Sequence, residues 1–245
     1  MYAGFYTAAS GVLMNQRALN MVSENVANQQ TPGYHAKELV RSTFEDELVR
    51  QQNGQTTPLG GGSPISVVAE EHIDFSQGEY ADTNRVFDLA AFGNGFFTIQ
   101  GQNGEVYTRN GNFNVDEEGY LVLSGVGRVL GENGPIRVGG SNFSVGPSGN
   151  VYDADANVLG RLRMEEPEDY NNLALNNDGT YTVQGGQMER VYPEIHQGVL
   201  EESNVDMNQQ MTDAISYQRA FQSCSKALTI IDQMNQKTAS DIGKL

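Results

Sequence analysis

Two heptad seams stand at opposite ends of this 245-residue chain, and neither holds enough large apolar residues to be stable as a lone helix. Near the start, Phe5, Val12, Leu19 and Val26 recur every seven residues, with Met1, Ala8, Asn15 and Val22 interleaved and Met14, Ala18 and Met21 widening the face. This periodicity predicts a helix that packs on another helix and stops by Pro32-Gly33. Near the end, Met207, Ala214, Phe221, Leu228, Asn235 and Ile242 alternate with Gln210, Tyr217, Cys224, Ile231 and Thr238. No Pro or Gly falls between Val205 and Ser240, so a continuous helix would run about 50 Å at 1.5 Å per residue, with Ser203-Asn204 supplying N-cap chemistry. A seam interrupted by Asn, Gln and Thr requires partners. An intramolecular hairpin that does nothing more is the plainer alternative, but a face rich in Asn, Gln, Ser, Ala and Met suits repeated helix–helix contacts better than a monomer's core.

Between the seams the rhythm changes. Short β-rich runs, Phe96–Gln100, Glu105–Arg109, Tyr120–Leu123, Asn142–Val145 and Tyr181–Gln184, alternate with Asn103-Gly104, Asn110-Gly111, Glu118-Gly119, Asn133-Gly134, Ser148-Gly149 and Asp178-Gly179. Asn-Gly and Asp-Gly accept the positive φ that tight hairpins need, so this stretch reads as a β domain. Before it, Glu38–Arg50 reads as a short amphipathic helix and Gln51–Ser63, with Gly60-Gly-Gly62, as a flexible loop. The expected organisation is α+β: an N-terminal assembly helix over 1–33, a connecting helix and loop over 34–69, a β domain over 70–197 and a C-terminal assembly helix over 198–245. The two end helices are expected to pair as a coiled-coil-like α domain.

Candidate chemistry is thin. A net charge of −16 repels phosphate, and no basic stripe offsets it, which argues against nucleic acid as a partner. Cys224, the single cysteine, excludes an intrachain disulfide and reads as packing between Phe221 and Leu228. Asp153-Ala-Asp155-Ala-Asn157 begins like a calcium loop, but Val158 replaces the turn glycine and Met164 the bidentate Glu, so an Asx-rich turn fits better. His35, His72 and His196 fall in separate contexts and form no metal pair. Gly93-Asn-Gly95 and Gly125-Val-Gly127 do not complete a dinucleotide fingerprint. No catalytic, metal or cofactor site is expected, and no apolar run approaches the roughly 20 residues that span a bilayer. The start, uncharged before Arg17, is unlike a cleaved secretory signal.

Three motifs in order carry a resemblance. Tyr6-Thr-Ala-Ala-Ser-Gly11 leads to Asn25-Val-Ala-Asn28-Gln-Gln-Thr31-Pro-Gly33-Tyr34 at the front. Mid-chain stand Asp74-Phe-Ser-Gln-Gly78, Phe87-Asp-Leu-Ala90, Gly93-Asn-Gly-Phe-Phe97, Tyr107-Thr-Arg109-Asn-Gly111-Asn-Phe113 and Asp116-Glu-Glu-Gly119-Tyr-Leu121. At the back are Gly198-Val-Leu-Glu201-Glu-Ser203-Asn204-Val205-Asp206 and Gln218-Arg219-Ala220-Phe221, with Lys226 and Asp232. The whole resembles the flagellar basal-body rod proteins of the FlgF and FlgG type. It departs from them where Gln209 and Gln210 replace a usual acidic residue and Cys224 a frequent Asn.

The resemblance implies a structural, non-enzymatic subunit of the bacterial flagellar rod, exported through the flagellar type III apparatus without a cleaved signal, and located in the basal body. Its terminal helices would pair in a homo-oligomeric helical tube, with the β domain outward. Other rod and hook proteins, and surrounding ring proteins, are the implied partners. A hook or hook-associated role is the nearest alternative, and a β module for cell-wall glycan a more distant one. Because closing a loop of more than two hundred residues costs entropy that a narrow seam offsets poorly, the helices are expected to be largely disordered in a monomer and to fold on assembly, giving a shaft stiff enough to carry torque.

Overall fold

The computed structural model describes residues 2–43, 66–176 and 178–242, and it divides into two compact units. The first, the helical unit, comprises Met1–Ala27, Ala36–Asp74 and Val205–Leu245. The second, the β unit, comprises Asn28–His35 and Phe75–Asn204.

In the helical unit, α1 (Tyr2–Ala27) and α2 (Met207–Ile242) pack along one another. At 1.5 Å per residue the 36-residue α2 is about 54 Å long. Its cap is not Ser203-Asn204: Asp206 Oδ1 accepts from the backbone N–H of Asn208 at 2.8 Å and of Gln209 at 3.3 Å. A carboxylate there also answers the positive end of the helix dipole. α1 stops at Ala27, five residues before Pro32. The helix expected over Glu38–Arg50 is instead a strand, β1 (Lys37–Thr43), and the rest of that range, with the 51–63 loop, lies outside the described residues. β1 runs antiparallel to β2 (Ser66–Ile73), Lys37 opposite Ile73 and Thr43 opposite Ser66. A ladder to a later segment, its register shifted once between Val40 and Arg41, overrides the local helical spacing of a run that holds Val40 and Thr43.

In the β unit, seven strands form the main path of a larger sheet. In spatial order they are Leu173–Leu175 (β15), Tyr181–Val183 (β16), Gly104–Thr108 (β6), Phe96–Gly101 (β5), Gly127–Gly131 (β9), Leu121–Leu123 (β8) and Phe113–Val115 (β7). Gly134–Pro135 (β10) joins this sheet at β9, and Met164–Pro167 (β14) joins it at β5 and pairs with Met188–Val191 (β17). A three-stranded sheet holds Ser144–Val145 (β11), Asn150–Tyr152 (β12) and Val158–Arg161 (β13). Two further pairs are Leu89–Phe92 (β4) with Glu194–Gln197 (β18) and Tyr80–Asp82 (β3) with Val199–Glu201 (β19). Leu89, Phe97, Ile99, Phe113, Leu121, Val129 and Val151 form the heart of one apolar core. Each inward strand position contributes roughly 1.5–3 kcal/mol of burial.

The expected turns are largely where the dipeptides stand: Gly104, Gly119, Gly134, Gly149 and Gly179 all have positive φ. Asn110-Gly111 is different. Gly111 is buried without positive φ, and a Cβ there would lie 1.6 Å from the Leu89 carbonyl oxygen, so the glycine serves a close backbone approach rather than a hairpin. Asp153 accepts through Oδ1 from the N–H groups of Asp155 and Asn157 and through Oδ2 from the Asn157 amide, closing an Asx-rich turn between β12 and β13. Hydrogen bonds from Asn157, with that from Asp155, hold the Asp153 carboxyl below its ordinary range. Among the described residues no helix is long and apolar enough to cross a membrane.

Candidate assembly surfaces

The inner face of the helix pair is built on small residues. A Cβ added to Gly4 would lie 4.0 Å from Ile231 Cδ1, and one added to Gly11 only 2.9 Å from Cys224 Sγ. Asn25 Nδ2 donates to Gln210 Oε1 at 3.2 Å. Along α1 these positions rise by sevens while their partners on α2 fall, so the helices run antiparallel with Gly4, Gly11, Ala18 and Asn25 forming one heptad row. Ala18 and Asn25 are fully buried, and Asn15, Met21 and Val22 are buried beside them. The row Phe5, Val12, Leu19 and Val26, one residue later, sits on the flank: Phe5 is exposed and the other three are half-buried. A search for large apolar residues passes over glycine, which is why the closest row was not legible; glycine at heptad spacing is the signal that marks it.

On α2, Met207, Ala214, Tyr217, Phe221, Cys224, Leu228 and Ile231 are half-buried, together with Gln210 and Ala220. No described residue of α2 is fully buried. Gln218 and Arg219 are exposed and Val205 is half-buried.

Both helices also carry apolar residues away from this seam. Met211, Ile215, Ile230 and Met234 are 53–56% exposed and, at 3.6 residues per turn, lie about a quarter to half a turn around α2 from Gln210, Cys224 and Ile231, Met211 and Ile215 to one side and Ile230 and Met234 to the other. Tyr6 and Leu13, seven apart on α1, are 59% and 63% exposed. A helix whose apolar residues occupy two faces has one face more than a simple pair can cover.

Asn25 locks the end of α1. Its side-chain amide donates to the Lys37 carbonyl at 2.9 Å and accepts from the Lys37 N–H at 3.0 Å, imitating a strand pair, while also reaching Gln210. The neutral Gln210 supplies an acceptor without burying a charge beside a fully buried amide. Lys37 Nζ meets Glu24 Oε2 at 2.7 Å.

The segment after α1 belongs to the β unit. Asn28 and Thr31 close a turn, with the Thr31 N–H donating to the Asn28 carbonyl at 2.9 Å, and the Tyr34 N–H returns to the Thr31 carbonyl. Gly33, at φ +66°, donates its N–H to the Glu201 carbonyl, and a Cβ on it would stand 2.4 Å from the Arg109 carbonyl carbon, so only glycine fits. Beneath it lies a buried ion pair that the sequence did not single out. Arg109 Nε donates to Glu201 Oε2 at 2.8 Å, Nη1 donates to the carbonyls of Gly93 and Gly95, and Nη2 to that of Ala91. Burial pushes the Glu201 carboxyl up, and the Arg109 charge and hydrogen bonds pull against it. His35 is buried against Phe75, Phe96 and Tyr181, its Nδ1 3.2 Å from the Tyr181 hydroxyl, whose pKa burial raises. Ser203 is half-buried, and the Asn204 amide donates to the Ser76 carbonyl at 3.0 Å.

Three family descriptions match the chain in order. Residues 5–35 match "Flagella basal body rod protein", residues 90–183 the D1 domain of "Flagellar hook protein FlgE/F/G", and residues 196–241 "Flagellar basal body rod FlgEFG protein C-terminal". The flagellar basal-body rod protein FlgF of Caulobacter vibrioides is 31% identical across 98% of both chains. FlgF of Salmonella typhimurium is 32% identical across 93% of both. The rod protein FlgG of Bacillus subtilis is 29% identical across 97% of this chain and 98% of its own.

Proposed function

The chain belongs to the flagellar basal-body rod protein family and is a structural subunit of the rod, serving motility; from that premise we propose that copies of it assemble through the helical unit into a helical tube. In this reading α1 and α2 pair in a coiled-coil-like manner through the seam positions. The motif residues Asn25, Asn28, Thr31, Gly33, Tyr34, Ser203 and Asn204 hold the ends of the pair's connections in shape. Val205, Gln218, Arg219 and Ala220 then present contacts to neighbours. Other rod and hook proteins are the partners that family membership favours, with ring proteins around the rod and the flagellar export apparatus as contacts on the way out.

One observation carries the reading: exposed apolar side chains on both helices outside the row that joins them. Burying them against neighbouring copies would remove that surface from water at about 25 cal/mol per Å². The test is electron microscopy and sedimentation of Ile215→Asp and Ile230→Asp variants beside the parent. The parent is expected to form rods, and the variants to keep the cooperative unfolding transition of the β unit while staying monomeric. Rods formed equally well by both variants would overturn the reading, as would a parent that binds cell-wall glycan but never polymerises.

The match of residues 90–183 to a hook-protein domain supports a second reading, a position at the hook end of the axial structure. Basal bodies isolated from cells lacking the chain separate the two. Truncated rods favour the first reading, and complete rods without hooks favour the second.

A further inference from the structure

Charge is divided unevenly between the two units. The helical unit holds eight Lys and Arg against twelve Asp and Glu, a net −4, whereas the β unit holds seven against nineteen, a net −12. The helices themselves are neutral. α1 has Arg17 and Glu24; α2 has Arg219, Lys226 and Lys237 against Asp213, Asp232 and Asp241. The outer apolar positions therefore lie on elements with no net charge, while nearly all the excess negative charge is carried elsewhere in the same chain.

Much of the β-unit charge is unscreened by the protein itself. Glu117, Asp155, Glu168 and Glu189 are exposed and form no ion pair among the described residues. Glu189 also stands directly opposite Glu166 across the β14–β17 ladder, a like-charge pair that costs stability.

We infer that assembly of this chain is gated by ionic strength: apolar contact between neutral helices drives it, and repulsion between the acidic β units of neighbouring copies opposes it. The inference rests on the helical unit being the assembly surface. Bringing copies side by side brings charges of −12 within tens of ångströms of each other, and at about 10 mM salt the screening length, about 30 Å, lets them interact at full reach. At about 150 mM it shrinks to about 8 Å and only touching groups are felt. Apolar helix contacts contain no ionic attraction that salt would weaken. An assembly held by cross-subunit ion pairs would respond in the opposite direction, so the sign of the salt effect separates the two.

The experiment measures the critical concentration of the full chain, by sedimentation and electron microscopy, between about 10 mM and about 200 mM sodium chloride. Beside it runs the quadruple variant Glu117→Gln, Asp155→Asn, Glu168→Gln, Glu189→Gln, checked for native circular dichroism. For the parent, the critical concentration should fall about tenfold as salt rises. The variant should assemble at lower salt with a flatter dependence. A critical concentration that rises with salt, or ignores it, or a variant that behaves as the parent does, would overturn the gating and leave the helical assembly reading standing. Failure to assemble at any salt concentration would overturn that reading and the gating with it.

Discussion

The β unit and the helical unit solve the burial problem in opposite ways. In the β unit, strands from across the segment interleave so that Phe97, Phe113, Leu121, Val129 and Val151 lose essentially all contact with water. The helical unit has a 36-residue helix in which no described side chain is fully buried, and a seam that sets glycine against cysteine, where a Cβ added at Gly11 would stand 2.9 Å from Cys224 Sγ. The β unit carries its own core. The helical unit has the pattern of a core without the mass of one, and its outward apolar residues say where the remainder is expected to come from. Stability is therefore expected to be intrinsic in one unit and shared between copies in the other.

The comparison breaks first under limited proteolysis of dilute monomer. Cuts should appear within α1 and α2 well before any between β3 and β19, and helices as resistant as the strands would show that the helical unit needs no neighbours. Next in size is Phe113→Ala, which empties a fully buried ring site in the β unit and should cost about 3–5 kcal/mol in chemical unfolding. Arg109→Ala should approach that value, about 3–5 kcal/mol, because it strands the Glu201 carboxylate and three carbonyls in a buried site. A loss below 1 kcal/mol would mean that water reaches the pair freely.

Smaller effects belong to the helical unit. Asn25→Ala removes the groups that hold the Lys37 N–H and carbonyl and should cost about 1–3 kcal/mol, read as a lower midpoint of the helical signal in thermal unfolding. The most delicate case is Gly11→Ala. Alanine gains about 1 kcal/mol of helix propensity over glycine, but its Cβ meets Cys224 Sγ at 2.9 Å, so alone it should come out near neutral. In a Cys224→Ala background the clash is gone, and the same substitution should then stabilise by about 1 kcal/mol. A gain of equal size in both backgrounds would show that the helices are not held this closely.

What could be read in the sequence followed from local repetition. Heptad spacing located both helices, because a helix shows its periodicity in neighbouring residues. Asn103-Gly104 and Asp178-Gly179 marked real turns because positive φ is a property of the dipeptide itself. Three ordered motifs led to the family for the same reason: each is short and contiguous.

The failures share an opposite cause. Glu38–Thr43 reads as the start of a helix and is strand, because its partner at Ser66–Ile73 lies beyond any local window. Asn110-Gly111 looked like a hairpin, although its glycine answers the Leu89 carbonyl more than twenty residues away. Arg109 and Glu201, 92 residues apart, form the buried pair under Gly33, and nothing in either local sequence names the other. By itself, then, the sequence determined that this chain has helices at both ends, a hairpin-rich middle and an acidic balance. Only the tertiary structure decided which row of α1 meets α2, which charges are buried together and which apolar faces stay in water. Those depend on contacts between residues far apart in the chain, and the free energy of such contacts is decided by the whole fold rather than by the neighbours of any one residue.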